Sequence, residues 1–586
     1  MKTLRRPQRA PFDPVTQDVP TRTWTVLAQD PSVLGPGGRA LTTTVSVPAE
    51  RLEAGPKGHR INVIDFDATR NVYYKPRPKD LYSDRYENVR DIQKLVSDPY
   101  FHQQNVYATA MSVLADFQTA LGRSVPWGFA PAGGTGSAHH LKIAPHAFAD
   151  PNAYYARESE SLSFGYFTGQ SGKTAFTCLS HDIVAHETSH ALLDGMRSFY
   201  LRPSHVDQSA FHEGFADVVA LLSILKSTEL VELALADISD RANLIASRDL
   251  SYESLRQKSI LFKLAKQFNR ELSFVRGDAL RHSVALKPSP KWLSQQEYQE
   301  PHRRGEILVA AISQAFLRVW CKRLEPIGTE RGIALNRAVV AEEAARAAEH
   351  LLHIMIRALD YVPPVDLVFG DYLSALLTAD MQLYPDDSKF HYRRQLRDAF
   401  ATFGITPSSP KRKDGAWDPP EDAEKLIFDG VHFEPLRSDL NEVFRFLWEN
   451  RDALGIDPDA FTRVTSVRPC TRVSTDGLVL RETVVEYVQT LRVFAHELRL
   501  FGIRKPEGLS GQTFLPLYGG GTLVFNEYGH VKFHIGTGVR SKRQSARLQS
   551  LYDSGAFNRD ADQTSHFADL HRRRMLGGAG HPEEQW

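Results

Sequence analysis

The chain has 586 residues, 42% hydrophobic and 24% charged, the balance of a globular protein large enough to bury its own core. Its 71 basic and 70 acidic side chains leave a net charge of +1, which excludes a general electrostatic pull toward nucleic acid. Cys178, Cys321 and Cys470 are widely spaced and odd in number, so no disulfide framework is expected; with no apolar run of about 18 residues no membrane span is expected, and with no signal-type apolar core after Met1 a cytoplasmic protein is expected, export by a route that needs no such signal staying open.

Residues 1–55, rich in Pro, Thr and Gly, form an N-terminal extension expected to wrap loosely around the rest of the chain. The alternation of Arg60–Phe66 predicts a strand. Val106, Ala110, Val113, Leu114, Phe117 and Leu121 fall on one face of a helix predicted over 103–121, with Gly122 as its left-handed stop. Helices are predicted over 181–194, 211–224, 306–321, 337–359, 371–384 and 391–402. Strands come early and helices late, which predicts an α+β fold. Prolines and charges crowd 406–422, expected to be a linker behind a domain over 56–405. Past it, a helix at 437–450 and strands at 462–473, 478–490, 522–525 and 530–535 predict a small, β-rich α/β C-terminal domain over 423–545. Residues 546–586 read as a polar tail.

The helix predicted at 181–194 carries HExxH: His186, Glu187 and His190. Residues four apart share a helix face, so the two histidines can bind one ion, and Glu187 beside them can take a proton from water. Chance alone would place about 0.05 such motifs in a chain with this many histidines, so a second signal is needed. Catalytic zinc usually takes three protein ligands. Twenty-three residues after His190, Glu213 lies on another apolar helix, one turn before Asp217. Glu213 completes a His2Glu set for Zn2+, and Asp217 can accept the other ring N–H of His186.

HExxH followed by ExxxD resembles the gluzincin metallopeptidases, and specifically the thermolysin-like branch. Val184-Ala185 before the motif, Asn152-Ala153-Tyr154-Tyr155 and His302-Arg303-Arg304-Gly305 match further segments of that family, over residues 60–405. The resemblance implies a metalloprotease domain with a β-rich N-terminal and a helical C-terminal lobe, acting on a peptide or protein substrate. It implies that Asn152 and Ala153 pair with an extended substrate and that Ile183 lines the pocket just after the cut. It further implies that His302 and Tyr200 stabilise the oxyanion, with Glu297 orienting His302. Two alternatives stay open: a catalytically idle peptidase fold that binds or scaffolds, and an aminopeptidase-type gluzincin. The first would lose the base or a ligand, and none is lost; the second would carry a Gly-x-Met-Glu-Asn strand, and none is present. Partners beyond the substrate, including the oligomeric state, are not legible.

Overall fold

The computed structural model describes residues 20–555 and 557, apart from 33, 35, 80–83, 130–138, 170–171, 203, 241, 258–277, 410, 421–422, 474–478 and 556. The architecture is mixed α+β. It opens with an antiparallel hairpin of β1 (Thr21–Leu27) and β2 (Thr42–Pro48). Trp24, Val26, Leu27 and Val47 of this hairpin are buried, so this part of the N-terminal extension is core and not a loose wrap. The alternating Thr-x-Thr-Val pattern carried that signal, masked by the surrounding prolines and glycines.

A five-stranded sheet comes next, in the order β3 (Ile61–Val63), β4 (Leu141–Phe148), β6 (Ser161–Thr168), β5 (Ala153–Ala156), with β7 (Thr174–Phe176) also paired to β6. β3, β4 and β6 run parallel, and β5 is antiparallel at the edge. Against the sheet lies α1 (Pro99–Leu121), capped by Asp98, started by Pro99 and ended by Gly122 at φ 66°. The cap starts the helix four residues earlier than periodicity alone predicts.

The helical part contains α2 (His181–Met196), α3 (Val206–Leu225), α4 (Pro301–Leu324), α5 (Arg337–Ala358), α6 (Phe369–Leu383) and α7 (Tyr392–Ala401). Every residue of α2 except Gly195 is buried. Its polar side chains therefore need partners inside: Thr188 and Ser189 donate to the Val184 and Ala185 carbonyls, each at 2.7 Å. Gly195 does not stop the helix, which runs on to Met196; a Cβ there would sit 1.8 Å from the Pro126 carbonyl oxygen, so a close approach demands the glycine.

Residues 406–422 contain a packed strap. Ala416 is buried, and Trp417 donates from Nε1 to the Tyr361 carbonyl at 2.7 Å. Beyond it, α8 (Leu440–Glu449) precedes an antiparallel sheet of β8 (Phe461–Val473), β9 (Val479–Phe494), β10 (Phe514–Phe525) and β11 (Val531–Thr537). Val524, Phe533 and Ile535 of that sheet join the main hydrophobic core. Arg472, on β8, is buried between Asp360 and Glu482, while Arg123 also pairs with Asp360 at 2.6 Å. α9 (Arg543–Asp553) buries Leu548 and Leu551, so the first part of the polar tail is an ordered amphipathic helix; residues 558–586 lie outside the described residues. Among the described residues no helix is long and apolar enough to cross a membrane.

Candidate metal centre

His186 and His190 project from the same face of α2, their ring centroids 4.3 Å apart. Glu213 faces them from α3: its carboxylate oxygens lie 3.7 Å from His186 Nε2 and 3.6 Å from His190 Nε2. All three ligand atoms fall within 4.8 Å of one another, and each residue is 1% exposed. Zinc–ligand bonds of roughly 2.0–2.1 Å at tetrahedral angles separate ligand atoms by about 3.3 Å, close to the spacing seen.

The far sides of both rings are engaged. His186 Nδ1 lies 2.7 Å from Asp217 Oδ1; a carboxylate can only accept, so Nδ1 carries the proton and the Nε2 lone pair turns toward Glu213. His190 Nδ1 meets His212 Nδ1 at 2.7 Å, the two rings stacked 4.8 Å apart. In the tautomer where His190 donates from Nδ1 to His212, its Nε2 lone pair also points inward. The donor set is thus two imidazoles and a carboxylate, with Asp217 behind, and this fits a divalent zinc ion. Burying carboxylates without a counter-charge would cost several kcal/mol each, so a cation there also balances charge.

Glu187 is fully buried and its Oε2 accepts the Tyr155 backbone N–H at 3.0 Å, joining the motif helix to edge strand β5. One turn beyond His190, Asp194 accepts from the Tyr155 hydroxyl at 2.8 Å and pairs with Arg157. Burial pushes the Asp194 carboxyl up from its ordinary value, only partly offset by Arg157. β5 is thereby clamped along α2 beside the motif.

His302 reaches the centre because α4 crosses α3 at two glycines. A Cβ on Gly214 would lie 2.8 Å from the Gly305 carbonyl oxygen, and one on Gly305 would lie 3.0 Å from the Ala210 oxygen. With backbones this close, His302 Nε2 stands 3.5 Å from Glu213 Oε2. Its Nδ1–H donates to Glu300 Oε1 at 2.7 Å, and Glu300 Oε2 accepts the Arg303 backbone N–H at 2.8 Å as the helix N-cap. Burial raises the Glu300 carboxyl, but the bonds from His302 and Arg303 outweigh it and hold it below the ordinary range.

Two of the expected site residues meet other partners. Tyr200 is 1% exposed, packs against Phe211, and its hydroxyl donates to the Pro363 carbonyl at 2.6 Å. Burial pushes this phenol well above its ordinary value. Glu297 is 61% exposed and pairs with Arg303 at 3.5 Å; Glu300, not Glu297, holds His302. Asn152 is buried at the start of β5, its Oδ1 accepting the Ala153 N–H at 2.8 Å, and Ile183 sits in the apolar core. Sequence reasoning passed over His212, Asp194 and Glu300. Only Glu300 left a signal, as an acid two residues before the histidine and directly before Pro301 at a helix start.

No protein-family model matches the chain, and no curated protein matches it.

Proposed function

We propose that the chain is a zinc-dependent peptidase of the thermolysin-like type, with His186, His190 and Glu213 as metal ligands and Glu187 as general base. The observation that carries this is the convergence of the three ligand atoms, with Asp217 and His212 set against the far ring nitrogens of His186 and His190. Bound there, zinc supplies Lewis acidity to a peptide carbonyl and lowers the pKa of water to about 7.

The chain's own groups do the rest. Glu187 takes the proton as water attacks and returns it to the departing amine nitrogen, so the amide C–N bond breaks with no net proton change at the carboxylate. The Tyr155 amide fixes one oxygen of that carboxylate and so sets its orientation. His302, with Nδ1–H given to Glu300, offers Nε2–H to the developing oxyanion when its ring carries both protons. β5, lying at the sheet edge and tied to α2, would meet an extended peptide through its backbone carbonyls, since the Ala153 and Tyr155 N–H groups are held by Asn152 and Glu187.

The test is a quenched-peptide assay, with and without a chelator, on the wild type and Glu187→Gln. Activity should be abolished by the chelator, and Glu187→Gln should lose about 10²-fold or more while keeping its zinc. Full activity in Glu187→Gln, or activity indifferent to the chelator, would sink the reading.

A further inference from the structure

The three cysteines look isolated in the sequence, yet the fold brings Cys178 to two histidines on other elements. His102 of α1, His146 of β4 and Cys178, in the turn Thr177–Leu179 that leads into α2, place Nδ1, Nε2 and Sγ within 4.8 Å of one another. The residues are 1%, 2% and 0% exposed.

The hydrogen bonds behind the two rings decide where their protons lie. His102 Nε2 is 2.9 Å from the Val96 carbonyl oxygen, which can only accept, so this nitrogen carries the hydrogen. His146 Nδ1 is 2.9 Å from Asp65, whose carboxylate also accepts from the Gln103 amide, so that nitrogen donates as well. The near nitrogens, His102 Nδ1 and His146 Nε2, face each other at 2.8 Å beside the Cys178 sulfur, so three potential ligand atoms gather at one buried point. A carbonyl and a carboxylate behind paired imidazoles are also the arrangement that presents histidines to a metal.

We infer that His102, His146 and Cys178 bind a second zinc ion, separate from the HExxH centre. A shared proton would satisfy the two nitrogens but would not account for a buried sulfur beside both of them. Zinc takes imidazole and thiolate together, with bonds of about 2.0 and 2.3 Å, so the nitrogens need to part by roughly half an ångström. Charge agrees: a divalent ion, the Cys178 thiolate and the Asp65 carboxylate sum to zero in a site closed to water, where a monovalent copper ion would leave an excess negative charge. Binding releases the thiol proton to solvent and forms two Zn–N bonds and one Zn–S bond. The ion would tie α1, the sheet and the turn that leads into the motif helix together.

Purified full-length protein tests this directly. Elemental analysis should find two zinc ions per chain in the wild type and one in both His146→Ala and Cys178→Ser. Cobalt reconstitution of the wild type gives a readout that does not depend on those variants folding, because the HExxH centre holds no sulfur. Cobalt in the wild type should show a thiolate-to-cobalt charge-transfer band in the near ultraviolet, retained in Cys321→Ser and lost in Cys178→Ser. No sulfur–cobalt band in the wild type, or a band that survives Cys178→Ser, overturns the site; a single metal per chain with the Cys178-dependent band present counts against the HExxH centre instead, and copper in place of zinc overturns the identity of the ion.

Discussion

Two acids stand before His302, three residues apart, and only their surroundings separate their roles. Glu300 lies within hydrogen-bonding distance of the ring and caps α4, whereas Glu297 is mostly in water. Glu300→Gln should therefore lower kcat roughly tenfold or more with little change in KM, since a neutral amide holds the His302 ring less firmly than a charged carboxylate. Glu297→Gln should stay within twofold of the wild type; steady-state kinetics on the pair decides, and the reverse ranking would restore the sequence expectation. His212 acts one step further from substrate, through its Nδ1 contact with Nδ1 of His190 at 2.7 Å. His212→Ala should weaken zinc binding by about 10- to 100-fold, as removal of such outer partners does, read by competition with a graded chelator.

At the scale of elements, the centre depends on how closely α3 and α4 approach. Gly214 follows the ligand Glu213 directly, and its missing side chain admits the Gly305 backbone. Gly214→Ala gains about 1 kcal/mol of helix propensity. It also forces a Cβ to 2.8 Å from a carbonyl oxygen, an overpacking that costs about 1–3 kcal/mol. The crowding wins because backbone on both helices has to move. The variant should melt at a lower temperature and lose activity out of proportion, since the helices part where Glu213 and His302 meet; calorimetry and the peptide assay together check it. Unchanged melting would mean the crossing is looser than the distances indicate.

Across the whole molecule, imidazoles buried or half-buried in the fold link stability to pH. His181 on α2, His353 on α5 and His534 on β11 are each pushed down to about 4, chiefly by burial, with Lys226 adding for His181 and Arg357 for His353. In the unfolded chain these groups titrate near about 6.5. Their folded values are lower, so the neutral rings contribute stability that is whole above pH 6.5 and is lost as pH falls toward 4. Each adds a slope of up to about 1.4 kcal/mol per pH unit inside that window. His534→Gln leaves a partner for the Tyr487 hydroxyl but does not titrate. Its melting temperature should fall less steeply between pH 6.5 and 4 than that of the wild type; parallel curves would show that His534 takes up no proton on unfolding. His534 lies on the C-terminal sheet, away from both proposed metal centres, so metal release at low pH affects both proteins alike.

What the sequence determined by itself is what the covalent chain dictates over one or two helical turns. Four-residue spacing places His186 and His190 together on α2 and Glu213 with Asp217 on α3, and apolar periodicity marks the helices α1 to α7. The strands past residue 460 and the Asn526–Gly529 turn were legible for the same reason: alternation and turn chemistry act over neighbouring residues. The tertiary structure decided every pairing between side chains on different elements. Tyr200 turns to Pro363, His212 turns to His190, and Cys178 meets His102 and His146, residues 76 and 32 positions before it. It also drew the hairpin at residues 21–48 and the strap around Trp417 into contact with the main core, where composition suggested loose segments. Such contacts follow from helix crossings and sheet docking, which depend on where backbones can approach, as at Gly214, Gly305 and Gly195. No local pattern encodes which distant side chain an approaching backbone will deliver.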